Sequence, residues 1–77
     1  MNMAMSFAEP KQPFGQWLVQ QTGKSGFVGG LAVAAANDRR FPRHGDEEAV
    51  RRWLQENRAS GDDWEALEDA VLDWAAY

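Results

Sequence analysis

Cationic side chains cluster near the middle of the chain, within the stretch DRRFPRHGDEEAVRRW that covers residues 38–53. A guanidinium group presents paired N–H donors that match the oxygens of a phosphate or a carboxylate. The cluster is therefore a candidate contact for phosphate or for an acidic surface of a partner. Its members are Arg39, Arg40, Arg43 and His44.

The same cluster has a structural interpretation, which we favour. Asp38 and the acids that follow the cluster would pair with its arginines and hold the turn. Phe41 would pack in the core, and Pro42 would end a helix because a residue before proline is disfavoured in the helical region. Cations at the end of one helix and anions at the start of the next also suit the two helix dipoles.

Groups suited to catalysis are few in this sequence. It has one histidine and no cysteine, and beyond residue 12 its only serines and threonines are Thr22, Ser25 and Ser60. A nucleophile, a base and an orienting acid are hard to assemble from this set. We expect no enzymatic activity and no catalytic residues.

Metal and cofactor sites are equally poorly supported. His44, Asp46, Glu47 and Glu48 are close in sequence, but a fixed metal site needs three or four convergent ligands. The glutamates are better explained by the positive end of a helix dipole. The GKSG stretch at residues 23–26 lacks the first glycine and the spacer of a phosphate-binding loop. We therefore expect neither a metal nor a cofactor.

Charge is divided unevenly along the chain, whose formal net charge is −4. Residues 1–44 have five Lys or Arg against two acids, and residues 45–77 have three against ten. This balance argues against nonspecific binding to nucleic acid, which needs a clustered cationic surface. We interpret the acidic faces of the last two helices as ordinary solvated surfaces. The alternative is that they mimic the charge of nucleic acid, as a phage-type inhibitor would.

Residues 1–12 are predicted to be an N-terminal tail that is disordered in part. The first half of the domain that follows is predicted to hold two helices. Phe14, Trp17 and Leu18 recur at helical spacing and predict a helix over residues 13–21. Gly23 is the expected left-handed residue at its end. Ser25 is the expected N-cap of a second helix over residues 26–37.

The second half is predicted to hold two more helices. Asp46 is the expected N-cap of a helix over residues 46–57, in which Arg51, Arg52 and Glu56 face water. The last helix is predicted over residues 62–76, with Ser60 or Asp62 as N-cap and Asp62 with Glu65 as a capping box.

Seven aromatic side chains are expected to supply most of one small core, since Trp and Phe bury large apolar areas. The sequence has no strand-like alternation and no internal repeat. It therefore predicts an all-α bundle of four or five short helices, as a single domain over residues 13–77. The seven aromatic residues are Phe14, Trp17, Phe27, Phe41, Trp53, Trp64 and Trp74.

The order of these elements resembles the YozE-like family, small bacterial proteins with a SAM-like (sterile-alpha-motif-like) helical fold. The resemblance covers residues 14–74. It is based on FGQWL at residues 14–18, NDRRFPR at residues 37–43, and the predicted helix that begins with three acidic residues and contains Trp53 and Leu54. It implies a SAM-like bundle and no assigned catalytic residues.

These observations predict a non-enzymatic helical domain that binds another protein. The alternative is a nucleic-acid-associated role, either through phosphate contact by Arg39, Arg40 and Arg43 or through acidic charge mimicry. No apolar run reaches the roughly 18 to 20 residues of a membrane span, and the chain start lacks the pattern of a signal peptide. We expect a cytoplasmic protein with no membrane contact.

Overall fold

The computed structural model describes residues 11–57 and 59–77. This part of the chain is an all-α bundle with no strand. None of its helices is both long and apolar enough to cross a membrane. The four helices are α1 (Phe14–Leu18), α2 (Gly26–Ala36), α3 (Glu47–Glu56) and α4 (Gly61–Ala76).

The starts of α3 and α4 are held by side-chain caps. Asp46 accepts a hydrogen bond from the Ala49 N–H at 3.0 Å, as predicted. Ser60 caps α4 and forms a capping box with Asp63. The predicted pairing of Asp62 with Glu65 is wrong because the helix begins one residue earlier, which makes Asp63 the third helical residue.

The turn before α2 differs from the prediction in its glycine. Gly23 was predicted to be left-handed, but it is Gly26 that has a positive φ, of 80°, within the described residues. The left-handed residue therefore opens α2 instead of closing the preceding turn. Ser25 lies at the N-cap of α2, but its side chain makes no capping hydrogen bond.

A single core forms where α2 packs along α4 and α1 contacts both α3 and α4. Trp64 and Trp74 are partly buried at its edge. Phe27 was expected in the core but is 57% exposed, because it lies on the outward face of α2. The buried apolar residues are Phe14, Trp17, Leu18, Leu31, Ala32, Ala35, Phe41, Val50, Trp53, Leu54, Ala66, Leu67 and Ala70.

The segment before α1 packs against the end of α4. The Trp74 indole N–H donates to the Gln12 carbonyl at 3.0 Å. The Lys11 ammonium lies 4.4 Å from the centre of the Trp74 ring and donates to the Trp74 carbonyl. These contacts join the two ends of the described chain. The predicted tail otherwise falls on residues 1–10, outside the described residues.

Candidate functional site

The connection between α2 and α3, residues 37–46, contains the whole predicted cationic cluster; we call it the junction. Its inner side is part of the core. Phe41 is 4% exposed, and its ring meets the Trp53 ring edge to face at 4.8 Å between centroids and 87° between planes. The prediction that Phe41 packs in the core is confirmed. Trp53 lies on α3, so this aromatic pair attaches the junction to that helix.

Asp38 fixes the start of the junction through both carboxylate oxygens. Oδ1 accepts a hydrogen bond from the Arg40 backbone N–H at 2.8 Å, and Oδ2 accepts one from the Trp53 indole N–H at 2.9 Å. These two donors, first the backbone N–H and then the indole, hold the pKa of Asp38 below its usual value because they stabilise the charged form.

The α1 backbone contacts the far end of the junction. The Gly15 N–H donates to the Gly45 carbonyl at 3.0 Å, and the Gly45 N–H donates to the Pro42 carbonyl at 2.9 Å. A Cβ atom added to Gly15 would lie 2.2 Å from the Pro42 carbonyl oxygen. Position 15 must therefore be glycine for α1 to approach the junction this closely.

Arg43 binds the backbone at the end of α2. Its guanidinium donates to the Ala36 carbonyl at 2.7 Å. That carbonyl belongs to the last turn of α2, where the helix dipole is negative and carbonyls lack helical partners. Arg43 thus stabilises the end of α2 from seven residues further along the chain.

The expected pairing of junction arginines with acids is wrong. The ion pairs of residues 11–57 and 59–77 join Lys24 with Asp73, and Arg51 with Glu47 and Glu68. None of them includes a junction arginine. Asp38 binds the backbone and the indole instead, and Asp46 uses its carboxylate as a helix cap.

Arg39, Arg40 and His44 are exposed. No hydrogen bond within the described residues uses any of their side chains. The structure therefore divides the predicted cluster, because Arg43 is bound to the end of α2 while these three side chains face solvent.

Arg40 lies beside Arg52 of α3 in a shallow surface groove of about 180 Å³, which we call the arginine groove. Sequence reasoning placed Arg52 in solvent and did not connect it with the cluster. The two arginines line one groove although 12 positions separate them in the sequence. The groove is lined by Arg40, Pro42, Ala49, Arg52, Trp53 and Glu56.

The neighbouring Arg51 has a different environment, which corrects its predicted exposure. It is partly buried and donates to Glu47 at 2.8 Å and to Glu68 at 2.7 Å. The hydrogen bonds that Arg51 donates to Glu68 and then to Glu47 raise its pKa above the ordinary arginine value. In turn, Arg51 lowers the pKa of Glu68. These pairs join α3 to α4 and neutralise part of the acidic surface.

A second cavity of about 160 Å³ lies between α2, α3 and the start of α4. Asp38 and Asp63 lie in its wall, and both carboxylates already accept hydrogen bonds from the protein. Across the described residues, no three side chains of the His, Cys, Asp and Glu types converge enough to hold a metal ion. The arginine groove is therefore the candidate site.

Comparison of the chain with protein-family models, curated proteins and solved structures finds no match. Membership of the YozE-like family stays a prediction.

Proposed function

We propose that this chain is a non-enzymatic helical domain that binds an acidic segment of another protein in the arginine groove. The observation that carries the proposal is the placement of Arg40 and Arg52 in one groove. Neither guanidinium has an ion pair within the described residues. Two guanidinium groups on separate elements can grip one carboxylate from two sides.

The apolar lining of the groove favours a peptide over a free inorganic anion. Pro42, Ala49 and the edge of Trp53 lie beside the two arginines. They would cover a hydrophobic side chain adjacent to the bound acid. Arginine is also among the residue types that dominate binding energy in protein interfaces. The ligand class is therefore an aspartate or glutamate with a hydrophobic neighbour.

Glu56 sets a limit on the ligand because it lies in the same groove as Arg52. A densely acidic segment would be repelled there, as would a run of phosphates. The expected ligand has one carboxylate that reaches the arginines. A neutral or basic group would lie next to Glu56.

Phosphate contact with nucleic acid is the second candidate function. It is favoured by the exposure of Arg39 beside Arg40, since both face solvent at the junction. Such contact would release counterions, so affinity would fall steeply with salt. Charge mimicry by α3 and α4 is less favoured, because Glu47, Glu68 and Asp73 are paired with cations. Cytoplasmic location remains part of the proposal.

The test is a titration of the ¹⁵N-labelled chain, followed through the indole N–H resonance of Trp53. The probes are a short peptide with a central Glu-Leu pair, its Gln-Leu counterpart, and a DNA oligonucleotide. We expect the Glu peptide to shift the resonance and the Gln peptide to bind at least tenfold more weakly. The double variant R40A/R52A should abolish the shift, whereas R39A should retain it.

Other results would redirect or refute the proposal. A shift with DNA that disappears as salt is raised, and that R39A weakens, would support the nucleic-acid function instead. Equal binding of the Glu and Gln peptides, or binding unchanged in R40A/R52A, would show that the arginine groove is not the site.

A further inference from the structure

The outward face of α2 is apolar and uncovered within the described residues. Among the described helices of ten or more residues, α2 alone has no charged side chain. Phe27, Gly30, Val33 and Ala34 fall on one helical face by their spacing. Phe27 is 57% exposed and Val33 is 44% exposed. We call these four residues the α2 outer face.

We propose that a second copy of this chain docks on the α2 outer face, with the two α2 helices antiparallel about a twofold axis. In a twofold interface each surface patch meets its own copy, so any charge on the patch lies near a like charge. The chain has a net charge of −4, and α3 and α4 carry most of its acids. The uncharged α2 outer face lets two acidic copies meet without direct repulsion.

The side-chain sizes on this face suit self-pairing. A Cβ atom added to Gly30 would meet nothing within 4 Å, so the space above this glycine is open. With the twofold axis at Gly30, Phe27 of one copy lies opposite Val33 of the other, three residues from the axis on each side. Gly30 and Ala34 are small residues one turn apart, which lets two helix backbones approach closely.

The length of α2 limits the strength of this contact. Eleven residues of helix span about 16 Å. The contact area is smaller than the roughly 800 Å² per partner of a standard stable interface. The dimer is therefore weak and reversible. The contact is separate from the arginine groove and does not depend on the proposed ligand.

Sedimentation velocity of the full chain from about 10 μM to about 1 mM tests the proposal. We expect the weight-average mass to rise toward twice the monomer mass. V33K should keep the chain monomeric throughout because it places a charged side chain against Phe27 of the other copy. L72K is the matched control, because Leu72 is also exposed and apolar but lies on α4. It should dimerise as the unmodified chain does.

The far-ultraviolet circular dichroism of V33K should match that of the unmodified chain, which separates lost pairing from lost folding. A chain that stays monomeric at about 1 mM would overturn the proposal. So would dimerisation that V33K leaves unchanged or that L72K equally abolishes. R40A/R52A should dimerise normally, so the two proposals fail independently.

Discussion

Arg51 and Arg52 are neighbours in sequence and yet have opposite environments. Arg51 is partly buried and binds carboxylates of α3 and α4, whereas Arg52 is exposed in the arginine groove. The junction repeats this contrast, because Arg43 binds the end of α2 and Arg40 does not. Residue type therefore does not separate arginines that hold the fold from arginines available to a ligand. The nearby acceptor atoms make that distinction.

The same contrast separates the two sides of the junction. On the inner side, Phe41 packs on Trp53 and Asp38 accepts two hydrogen bonds. On the outer side, Arg40 faces solvent and lines the arginine groove. The inner side should control folding and the outer side should control binding, and F41A and R40A test this division.

Truncation of Phe41 should give the largest effect. F41A removes a buried ring that packs edge to face on Trp53. We expect a loss of about 3–5 kcal/mol in the free energy of unfolding, measured by urea denaturation. R40A, one residue earlier, should change it by less than about 0.5 kcal/mol. Equal losses in the two variants would contradict the division into an inner and an outer side.

Two glycine-to-alanine changes should have opposite effects on stability. G15A places a Cβ 2.2 Å from the Pro42 carbonyl oxygen, so the backbone of α1 or of the junction must shift. We expect it to destabilise the chain by about 1–3 kcal/mol. G30A meets open space and should stabilise by up to about 1 kcal/mol through helix propensity.

Thermal melts at about 10 μM, below the expected dimer range, would compare the two glycine variants. If G30A destabilised the chain, another group would have to pack against Gly30, because no described residue does so. An unchanged melt for G15A would show that α1 does not depend on close approach to the junction.

Local patterns predicted much of this fold. Helical spacing identified all four described helices, and the Phe41-Pro42 pair located the break before α3. Asp46 was predicted as a cap because its position before two glutamates is a local signal. The exposed position of Phe27 was missed, since a helix that is apolar on every face does not show which face is buried.

The candidate site was less predictable because it depends on the path of the chain. Arg43 reaches the Ala36 carbonyl, and Arg52 meets Arg40, only after the junction reverses direction. Nothing in the local sequence indicates that Gly15 contacts the Pro42 carbonyl. One local signal indicated that Arg51 and Arg52 differ in environment. Adjacent residues of a helix point about 100° apart, so the two arginines cannot both have the same partners.

Replacement of Arg51 should have a smaller effect than the glycine change at position 15. R51A removes the pairs with Glu47 and Glu68. Partly exposed ion pairs contribute little individually, so we expect a loss of about 1 kcal/mol. High salt should reduce this loss because it screens the charges. R52A is the matched control, and it should leave the urea midpoint unchanged while it weakens peptide binding.

The smallest effect expected is a pH-dependent one at Asp38. Its pKa is lowered in the folded chain, so its carboxylate stabilises the fold above the unfolded-state pKa, near 4. This contribution is lost as the pH falls through the lower folded-state value. D38N removes the charge and leaves one acceptor oxygen, so only one of the two hydrogen bonds from the Arg40 backbone N–H and the Trp53 indole N–H can still form. Its urea midpoint should be below that of the unmodified chain at pH 7, and the two midpoints should approach each other as the pH falls below about 4 and through the lower folded-state pKa.

A control is needed because any lost carboxylate changes the net charge. D69N removes an exposed carboxylate of α4 that makes no hydrogen bond within the described residues. If D38N and D69N gave the same midpoints at both pH values, the effect would belong to net charge and not to the Asp38 contacts. If only D38N converges with the unmodified chain in acid, the inner side of the junction is held by its hydrogen bonds as well as by Phe41. Acids would then follow the same rule as Arg51 and Arg52. Asp38 stabilises the fold because the fold places two donors beside its carboxylate, and Asp69 has no such donors among the described residues.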